Sequence, residues 1–513
     1  MFKKLTKNTT ILGLGTLFSR ILGLLRDVLI AKYFGTSGIL EVFIVAFRAP
    51  NLLRSIFGEG FSDSVAVPAL SVYSRDKKKL FKISSNLIII FTLILAVVTL
   101  LGIVLSRYIV TLIAPGFISN ASKFGIAVSF MKITFPYIFF IGLASNFTAI
   151  LYAVKRFIGP AIIPSLLNIS FILGMLFFRP FMGDFILAGC VIAGGILQFI
   201  FSYLFLYRSG FRMHFGVREA FSDKEVLSML RRAIPRIWSS IVYQLNVFID
   251  TIFSSLSWIV GTGAMAAIYY SNRIVQFPLA LIALSVSRAA IVDFSRFSND
   301  GNTKDFKKLF VFSFQNIMFF IVPVSIVFIF IPQEILRLLF LRGEFDTYSL
   351  MVTSSTLFFY SFGLLFFCGI KLLVNTFYAL KDTVTPARIS TISLIINAAL
   401  SALLMFPFKA GGIALASSIA AAFNFFLLLR MLTKRIGPID YNSISKEIFK
   451  LVAIGVLLGV VAKIIFIAVP CSIFIQFIAA SAADFMLLVI LGRIMKLRQA
   501  EVLAGWLKTL KKK

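Results

Sequence analysis

The decapeptide L-Y-A-V-K-R-F-I-G-P at residues 151–160 returns 226 residues later as F-Y-A-L-K-D-T-V-T-P at residues 377–386. Tyrosine, alanine, lysine and proline coincide in register, and at an offset of 225 residues Arg48 pairs with Arg273. An offset that persists over much of each half is typical of an internal repeat. The chain of 513 residues therefore consists of two similar halves and a shorter C-terminal addition.

The composition around these motifs is that of a membrane protein, because 59% of the residues are hydrophobic and only 14% are charged. Apolar runs of roughly 20 residues recur throughout, which is the length a helix needs to cross a hydrocarbon core of about 30 Å. The runs are continuously apolar, whereas barrel strands would alternate between polar and apolar residues. The pattern predicts an all-α polytopic membrane protein.

We predict about 14 transmembrane helices, beginning near residues 8, 37, 84, 124, 159, 184, 231, 262, 308, 347, 385, 411, 445 and 472. Because six spans separate the copies of the repeat, the copies are parallel and related by an axis along the membrane normal. The predicted domains are an N-terminal six-helix lobe (1–208), an amphipathic cytoplasmic linker (209–230), a C-terminal six-helix lobe (231–434), two additional transmembrane helices (435–495) and a basic amphipathic cytoplasmic tail (496–513). In such a repeat the substrate site lies between the lobes, and access alternates as one lobe rocks against the other.

The formal net charge of +30 is concentrated in alternate connections between the spans. Basic loops face the cytoplasm, so this asymmetry places both termini there. It also accounts for most of the positive charge, and a nucleic-acid partner is not needed to explain it. The basic tail is expected to lie along the lipids of the inner leaflet.

Charged residues inside the first two spans are the strongest functional signal. The first span contains Ser19, Arg20, Arg26 and Asp27. A charge at the centre of a span costs roughly 2.5–3.5 kcal/mol, so these side chains should face a wet cavity or a partner. Asp27 is either a ligand or a structural counter-ion of the adjacent Arg26.

The second and eighth spans add to this charge. The second carries Arg48, Asn51, Arg54 and Glu59, and the eighth ends its polar stretch at Arg273. Several guanidinium groups and few carboxylates indicate a cavity for an anion, and a guanidinium matches phosphate oxygens in pairs. Glu59 is either a proton or conformational switch or a member of a salt bridge, and individual arginines can instead reach the interface or pair structurally.

Catalytic and metal-binding motifs are absent from the sequence. The cysteines are scattered singly at Cys190, Cys368 and Cys471, and His214 is the only histidine. No set of nucleophile, base and orienting residue, and no phosphate-binding glycine loop, lies on an aqueous segment. The sequence thus predicts a transporter and not an enzyme, without a cofactor, driven by the membrane potential or by a gradient of sodium or protons.

Four motifs in order resemble those of the MurJ (MviN) lipid II flippases, within the multidrug/oligosaccharidyl-lipid/polysaccharide (MOP) exporter superfamily. They are F-S-R-I-L-G-L-L-R-D, A-P-N-L-L-R-S-I-F-G-E-G-F, Y-S-N-R-I-V-Q-F-P and F-Y-A-L-K-D-T-V-T-P. The resemblance implies a MATE-like fold of two pseudo-symmetric six-helix lobes plus two C-terminal helices. It also implies a bacterial inner-membrane flippase for lipid II, the undecaprenyl-pyrophosphate-linked disaccharide-pentapeptide of peptidoglycan, expected to act as a monomer.

The resemblance also suggests functional residues. The family's cavity residues correspond to Ser19, Arg20, Arg26, Asp27, Arg54, Glu59 and Arg273 of this chain. A sodium site would fall on Asp250, Asn397, the Ile413 carbonyl and Ser417, but Ser401 replaces its second carboxylate. An equal expectation is that Asp250 pairs with a neighbouring polar group such as Gln244 or Asn246.

Three other functions share some of these features. A flippase for another polyprenyl-linked glycan would have the same architecture. A multidrug exporter of organic cations would need acidic and aromatic groups in its cavity, in conflict with the arginines. A membrane-embedded transferase would need an acid and base pair at a membrane face, which the sequence does not show.

Overall fold

The structure is a computed structural model that describes the backbone of residues 2–510 and the side chains of residues 13–58, 60–233 and 244–503. Every regular element of this backbone is a helix, as the sequence predicts. The contacts divide the chain into two compact units, Met1–Leu256 and Ser257–Lys513.

The first unit contains twelve α-helices within the described backbone. Their bounds are α1 (Phe2–Phe34), α2 (Gly38–Ser55), α3 (Val67–Ser71), α4 (Lys77–Val104), α5 (Ser106–Ile113), α6 (Ala121–Thr134), α7 (Tyr137–Ala153), α8 (Ile158–Leu173), α9 (Arg179–Met182), α10 (Ile186–Tyr207), α11 (Val217–Ser222) and α12 (Lys224–Ser254). A π-helix at Ile56–Ala66 joins α2 to α3 without a break in the chain direction, and a second at Gly174–Phe178 follows α8.

The second unit contains ten α-helices within the described backbone. Their bounds are α13 (Ser257–Val260), α14 (Ala264–Pro278), α15 (Leu284–Asn299), α16 (Thr303–Phe330), α17 (Pro332–Phe340), α18 (Thr347–Ala379), α19 (Val384–Ile436), α20 (Tyr441–Ala468), α21 (Ile473–Ile494) and α22 (Arg498–Leu510). A π-helix at Leu279–Ala283 joins α14 to α15, at nearly the same place in the repeat as the π-helix between α2 and α3.

Nine helical segments among the described residues are long and apolar enough to cross a bilayer, and the protein is a multi-pass membrane protein. Two of the nine, Ile158–Tyr207 and Val384–Ile436, have 50 and 53 residues. At 1.5 Å per residue, either would be about 75 Å long as one straight helix, more than twice the hydrocarbon thickness. Both are interrupted. The first contains the π-helix and α9, and the second bends at Lys409, where φ is 52° and ψ is −131°.

The two copies of the repeated decapeptide form the same turn. Lys155 N–H donates to Tyr152 O at 2.9 Å and Arg156 N–H to Leu151 O at 2.8 Å, which closes the end of α7. At the end of α18, Lys381 N–H donates to Tyr378 O and Asp382 N–H to Phe377 O, each at 3.0 Å. This is the Schellman pattern, in which the N–H groups beyond a helix satisfy its last carbonyls. The duplication seen in the sequence is thus also a duplication of local backbone structure.

The segment predicted as a linker between the lobes is packed against α4. The Phe211 ring is fully buried and meets the Phe81 ring edge to face, with centroids 5.4 Å apart. Asn86 of α4 donates to Asp223 Oδ2 at 2.8 Å, and Tyr73 O–H donates to Glu225 Oε1 at 2.8 Å. The hydrogen bond to Glu225 raises the pKa of Tyr73, because ionisation would place two negative charges together.

The next helix belongs to the first compact unit, whereas the predicted domains assign residues from 231 onward to the second lobe. The helix α12 packs against α2, α4, α5 and the π-helix Ile56–Ala66. At its far end Gly116 N–H donates to Ser255 Oγ at 3.1 Å. The compact unit therefore ends one helix later than the predicted lobe boundary, because packing between distant segments decides where α12 lies.

The bend in α19 generates a prediction about Gly412. A Cβ at this position would lie 2.0 Å from Leu404 O and 3.0 Å from Met405 N, and neither backbone atom can move aside as a side chain can. We expect Gly412→Ala to destabilise the protein by about 1–3 kcal/mol, as overpacking does. The apparent unfolding temperature in detergent measures this.

Gly125→Ala is the matched control, because nothing lies within 4 Å of a Cβ at that position in α6. Alanine is favoured over glycine in a helix, so this variant should be at least as stable as the wild type. Equal stability of the two variants would contradict the close approach at Gly412.

Candidate functional site

Four of the predicted site residues lie on α1, which packs along α8 in the first unit. Gly15 allows the close approach, since a Cβ there would lie 2.6 Å from Ala161 O. Small residues let helix backbones approach in a membrane. The Arg20 side chain is exposed, Ser19 and Arg26 are partly buried and Asp27 is buried.

Arg26 and Asp27 form a buried ion pair. Arg26 donates from Nε and Nη2 to Asp27 Oδ1 at 3.0 and 2.8 Å, and the two side chains are only 12% and 5% exposed. The guanidinium also lies 5.6 Å from the centre of the Phe171 ring. Asp27 is thus paired with Arg26 in this structure, its role as a ligand stays a prediction, and the charge of Arg26 is balanced within its own unit.

Asn168 of α8 completes this cluster, and the sequence analysis missed it. Its Oδ1 accepts from Arg26 Nη1 at 3.0 Å, and its Nδ2 donates to Ser19 O at 3.0 Å. One amide thus orients the guanidinium and ties α8 to α1. The available signal was a carboxamide in the middle of the apolar run L-L-N-I-S-F, since polar residues within spans usually bond across helices.

The second group of predicted residues lies on α2 and on the π-helix that follows it. Arg54 Nε donates to Asn51 Oδ1 at 3.1 Å, one helical turn away, and both side chains are partly buried. Arg48 is partly buried two turns earlier on α2. The Tyr137 hydroxyl lies within electrostatic range of both Arg54 and Arg26, so these two cations lie in the same region of the first unit.

A second ion pair lies at the other end of α2. Lys123 Nζ lies 2.5 Å from Glu41 Oε2, and the Glu41 side chain is only 3% exposed. The Lys123 ammonium also lies 4.3 Å from the centre of the Phe117 ring. The carboxylate of Glu41 is thereby matched by a lysine 82 positions away in sequence.

The backbone around Glu59 is π-helical from Ile56 to Ala66, and its side chain lies outside the described residues. Ser62 Oγ donates to Phe57 O at 2.9 Å, five residues back. Single π-helical turns often occur at functional sites, where they widen a helix and redirect its side chains. The proposed roles of Glu59 remain predictions.

Arg273 lies on α14 in the second unit and has an exposed side chain. Its guanidinium is 5.0 Å from the centre of the Tyr269 ring, and Nη2 donates to the Tyr269 hydroxyl at 3.4 Å. Two residues earlier, Ser271 is fully buried and donates to Thr353 O at 3.0 Å, which fixes this face of α14 against α18. The helix therefore presents Arg273 on the opposite side from its packed face.

The predicted sodium ligands are divided between the units. Asn397 and Ser417 of α19 lie together, with Ser417 Oγ donating to Asn397 Oδ1 at 3.3 Å, while Asp250 belongs to α12 of the first unit. Ser401, in place of a carboxylate, is fully buried. Neutral oxygen ligands of this kind fit an alkali cation, and the site stays a prediction. No cluster of three His, Cys, Asp or Glu side chains occurs among the described residues.

A comparison of the sequence with models of known protein families identifies the family of this chain. The family model described as "Lipid II flippase MurJ" matches residues 30–491. The chain belongs to this family.

Individual family members agree with that assignment. The "Probable lipid II flippase MurJ" of Buchnera aphidicola subsp. Schizaphis graminum is 34% identical over 440 residues, which cover 85% of this chain and 84% of that protein. The protein of the same description from Haemophilus influenzae is 33% identical over 440 residues, covering 82% and 84%.

Solved structures agree as well. "Lipid II flippase MurJ, inward closed conformation" superimposes with a TM-score of 0.78 at 26% identity, covering 95% of this chain and 99% of that one. An inward-facing multidrug resistance MATE family transporter of the MOP superfamily has a TM-score of 0.63 at 16% identity, covering 82% and 95%. At that identity the MATE transporter shows a shared fold alone, which fits the MATE-like fold that the resemblance implied.

The Arg26 cluster generates a prediction. Asp27→Ala leaves a buried guanidinium without its carboxylate, and we expect a loss of about 3–5 kcal/mol in stability, as when one partner of a buried ion pair is removed. The apparent unfolding temperature of the purified protein in detergent measures this.

The control is Asp293→Ala, because Asp293 forms an exposed pair with Arg296 at 3.2 Å, with side chains 48% and 61% exposed. Exposed pairs contribute about 0.2–1 kcal/mol, so this variant should differ little from the wild type. A similar small effect of both substitutions would show that Arg26 does not depend on Asp27.

Proposed function

We propose that this protein is a flippase that moves lipid II from the inner to the outer leaflet of the bacterial cytoplasmic membrane. The observation that carries this proposal is the match to the MurJ family over residues 30–491, together with relatives and a solved structure covering most of the chain. Transport, rather than catalysis, is the activity named for those relatives.

The chemistry of the substrate fits the arginines. The pyrophosphate of lipid II carries negative charge on several oxygens, and guanidinium groups bind such oxygens in pairs. Arg20 and Arg273 are exposed and Arg54 is partly buried, so each can reach a ligand. In this proposal Arg20, Arg54 and Arg273 bind the head group, with Ser19, Arg48 and Asn51 as polar neighbours.

Arg26 takes a different part in the proposed site. Asp27 already balances its charge, and Asn168 and Phe171 hold its position. It therefore serves as an oriented hydrogen-bond donor rather than as an uncompensated cation. In this proposal Arg20, Arg54 and Arg273 bind the charge of the head group, and the Arg26 cluster fixes the shape of the site.

The proposed architecture has 14 spans in two pseudo-symmetric six-helix lobes plus the pair α20 and α21. The nine apolar segments support it, since two of them, with 50 and 53 residues, are each long enough to cross the membrane twice. The helices α1, α2 and α12 supply three more spans whose charges belong to the site. Alternating access by rocking of the lobes, with both termini in the cytoplasm and one chain per transporter, completes the proposal.

The energy for transport is proposed to come from the membrane potential or from a gradient of sodium or protons. A potential of 100 mV acts with about 2.3 kcal/mol on each charge that crosses the membrane, and the head group of lipid II is charged. Asn397, Ser417 and Asp250 are the residues on which a sodium dependence would rest.

The proposal predicts that Arg20→Ala and Arg54→Ala abolish rescue of a bacterium depleted of its own flippase. Each charge-assisted hydrogen bond to phosphate contributes about 1.5–3 kcal/mol, so each substitution should lower the rate of lipid II exposure by about 10-fold to 100-fold. Growth and an assay of lipid II accessibility at the outer leaflet measure this, with protein levels checked in the membrane.

Arg296→Ala is the matched control, because this arginine is 61% exposed and pairs with Asp293 three residues away on α15. It should support growth and normal exposure of lipid II. Full activity of well-expressed Arg20→Ala and Arg54→Ala variants would refute the assignment of these residues. Accumulation of a different lipid-linked glycan after depletion would refute the assignment of the substrate.

A further inference from the structure

Lysine occupies every non-glycine position with a left-handed backbone among the described residues. These positions are Lys155, Lys381, Lys409 and Lys496, with φ between 52° and 61°. An L-residue is strained in this conformation, and glycine is the usual residue at the end of a Schellman turn. Each of these positions therefore carries a positive charge where a glycine would relieve backbone strain.

The two turns of the repeat differ in how that charge is balanced. At the second turn the Asp382 carboxylate pairs with Arg435 and accepts from Val384 N–H and Thr385 N–H at 3.1 and 2.9 Å. Burial alone would raise the pKa of Asp382, but these hydrogen bonds and the charge of Arg435 outweigh burial and lower it. The carboxylate therefore stays ionised and supplies the anion of the second turn.

At the first turn Arg156 stands where Asp382 stands in the second, so this turn has two cations and no carboxylate of its own. Lys155 and Arg156 are both exposed, and their side chains form no hydrogen bond or ion pair with any described residue. A carboxylate from another segment, Asp63, lies within electrostatic range of Tyr152. The first turn itself lacks the carboxylate that Asp382 supplies to the second.

The surroundings of the first turn suit a membrane surface. The turn joins two segments long and apolar enough to span a bilayer, Ala121–Ala153 and Ile158–Tyr207, so it lies where both leave the hydrocarbon. The Tyr152 and Phe157 rings flank the two cations with centroids 5.9 Å apart, and the Ile158 side chain is 56% exposed. Aromatic rings beside basic residues are typical of the boundary between head groups and acyl chains.

We propose that the Lys155–Arg156 turn binds the phosphate head group of an anionic membrane phospholipid. The lipid phosphate takes the place that the Asp382 carboxylate has at the second turn, and the exposed Ile158 and the flanking rings contact its acyl chains. This site is separate from the Arg26 cluster and does not depend on the transported substrate.

The test uses the full-length protein in a neutral detergent, titrated with phosphatidylglycerol or phosphatidylcholine. Native mass spectrometry counts bound lipids, and the apparent unfolding temperature reports stabilisation. Lys155→Gly should have two effects of opposite sign. Without lipid its unfolding temperature should rise by about 1–2 °C, because glycine relieves the left-handed strain. Its apparent affinity for phosphatidylglycerol should fall about fivefold, the loss expected for one cation at an anionic surface.

Lys381→Gly is the matched control, because it relieves the same strain at a turn that already holds a carboxylate. It should gain stability without losing affinity for phosphatidylglycerol. Arg156→Gln removes charge without changing the strain, and should lose affinity about fivefold with no gain in stability. Arg156→Gln also serves where Lys155→Gly yields too little protein.

Three results would overturn the proposal. One is an unchanged affinity of Lys155→Gly and Arg156→Gln for phosphatidylglycerol, and another is an equal loss in Lys381→Gly. The third is equal stabilisation of the wild type by phosphatidylcholine or by inorganic phosphate, since the site would then recognise no anionic phospholipid.

Discussion

The energetic cost of a charged side chain inside a bilayer constrains which residues lie around it and how the helices that carry them pack. Arg26 lies in an apolar helix where a lone guanidinium would be expensive, and it is kept there by Asp27 on one side and Asn168 on another. The contact with Asn168 also fixes how α1 lies on α8, through its second hydrogen bond to Ser19. Satisfying one charge therefore also ties two helices together, while Arg20 on the same helix has an exposed side chain.

A second constraint is that no backbone polar group can be left unsatisfied in lipid, which favours continuous helices. Interruptions are accordingly few and specific. In each half a π-helical stretch lies in the helix that follows the first span of that half, at Ile56–Ala66 and at Leu279–Ala283. A π-helix keeps its backbone hydrogen-bonded while it changes the direction of the side chains. The helices that carry Arg54 and Arg273 can thus alter their course within the membrane without exposing free N–H or C=O groups.

The positions of the nine apolar helical segments among the described residues were predictable from the sequence, because an apolar run of about 20 residues is the length that a helix needs to cross a membrane. The predicted starts near residues 347, 385 and 411 lie at or just inside α18 and the two halves of α19. The contacts between helices were less predictable. Lys123 pairs with Glu41 from 82 positions away, and Asn168 reaches Arg26 across 142. Apolar periodicity carries no information about such partners, and the same limit explains why α12 lies with the first unit.

The two copies of the repeated turn share one backbone structure but differ in net charge. The turns after Tyr152 and Tyr378 have the same backbone hydrogen bonds and the same strained lysine. The residue after the lysine is Arg156 in one turn and Asp382 in the other, so the turn forms with either residue. Asp382 makes its turn self-sufficient by pairing with Arg435, whereas Arg156 makes its turn depend on an anion from outside. The duplication gives both halves the same turn. The difference between a carboxylate at Asp382 and a guanidinium at Arg156 then separates a turn with its own ion pair from a turn proposed to bind an anionic lipid.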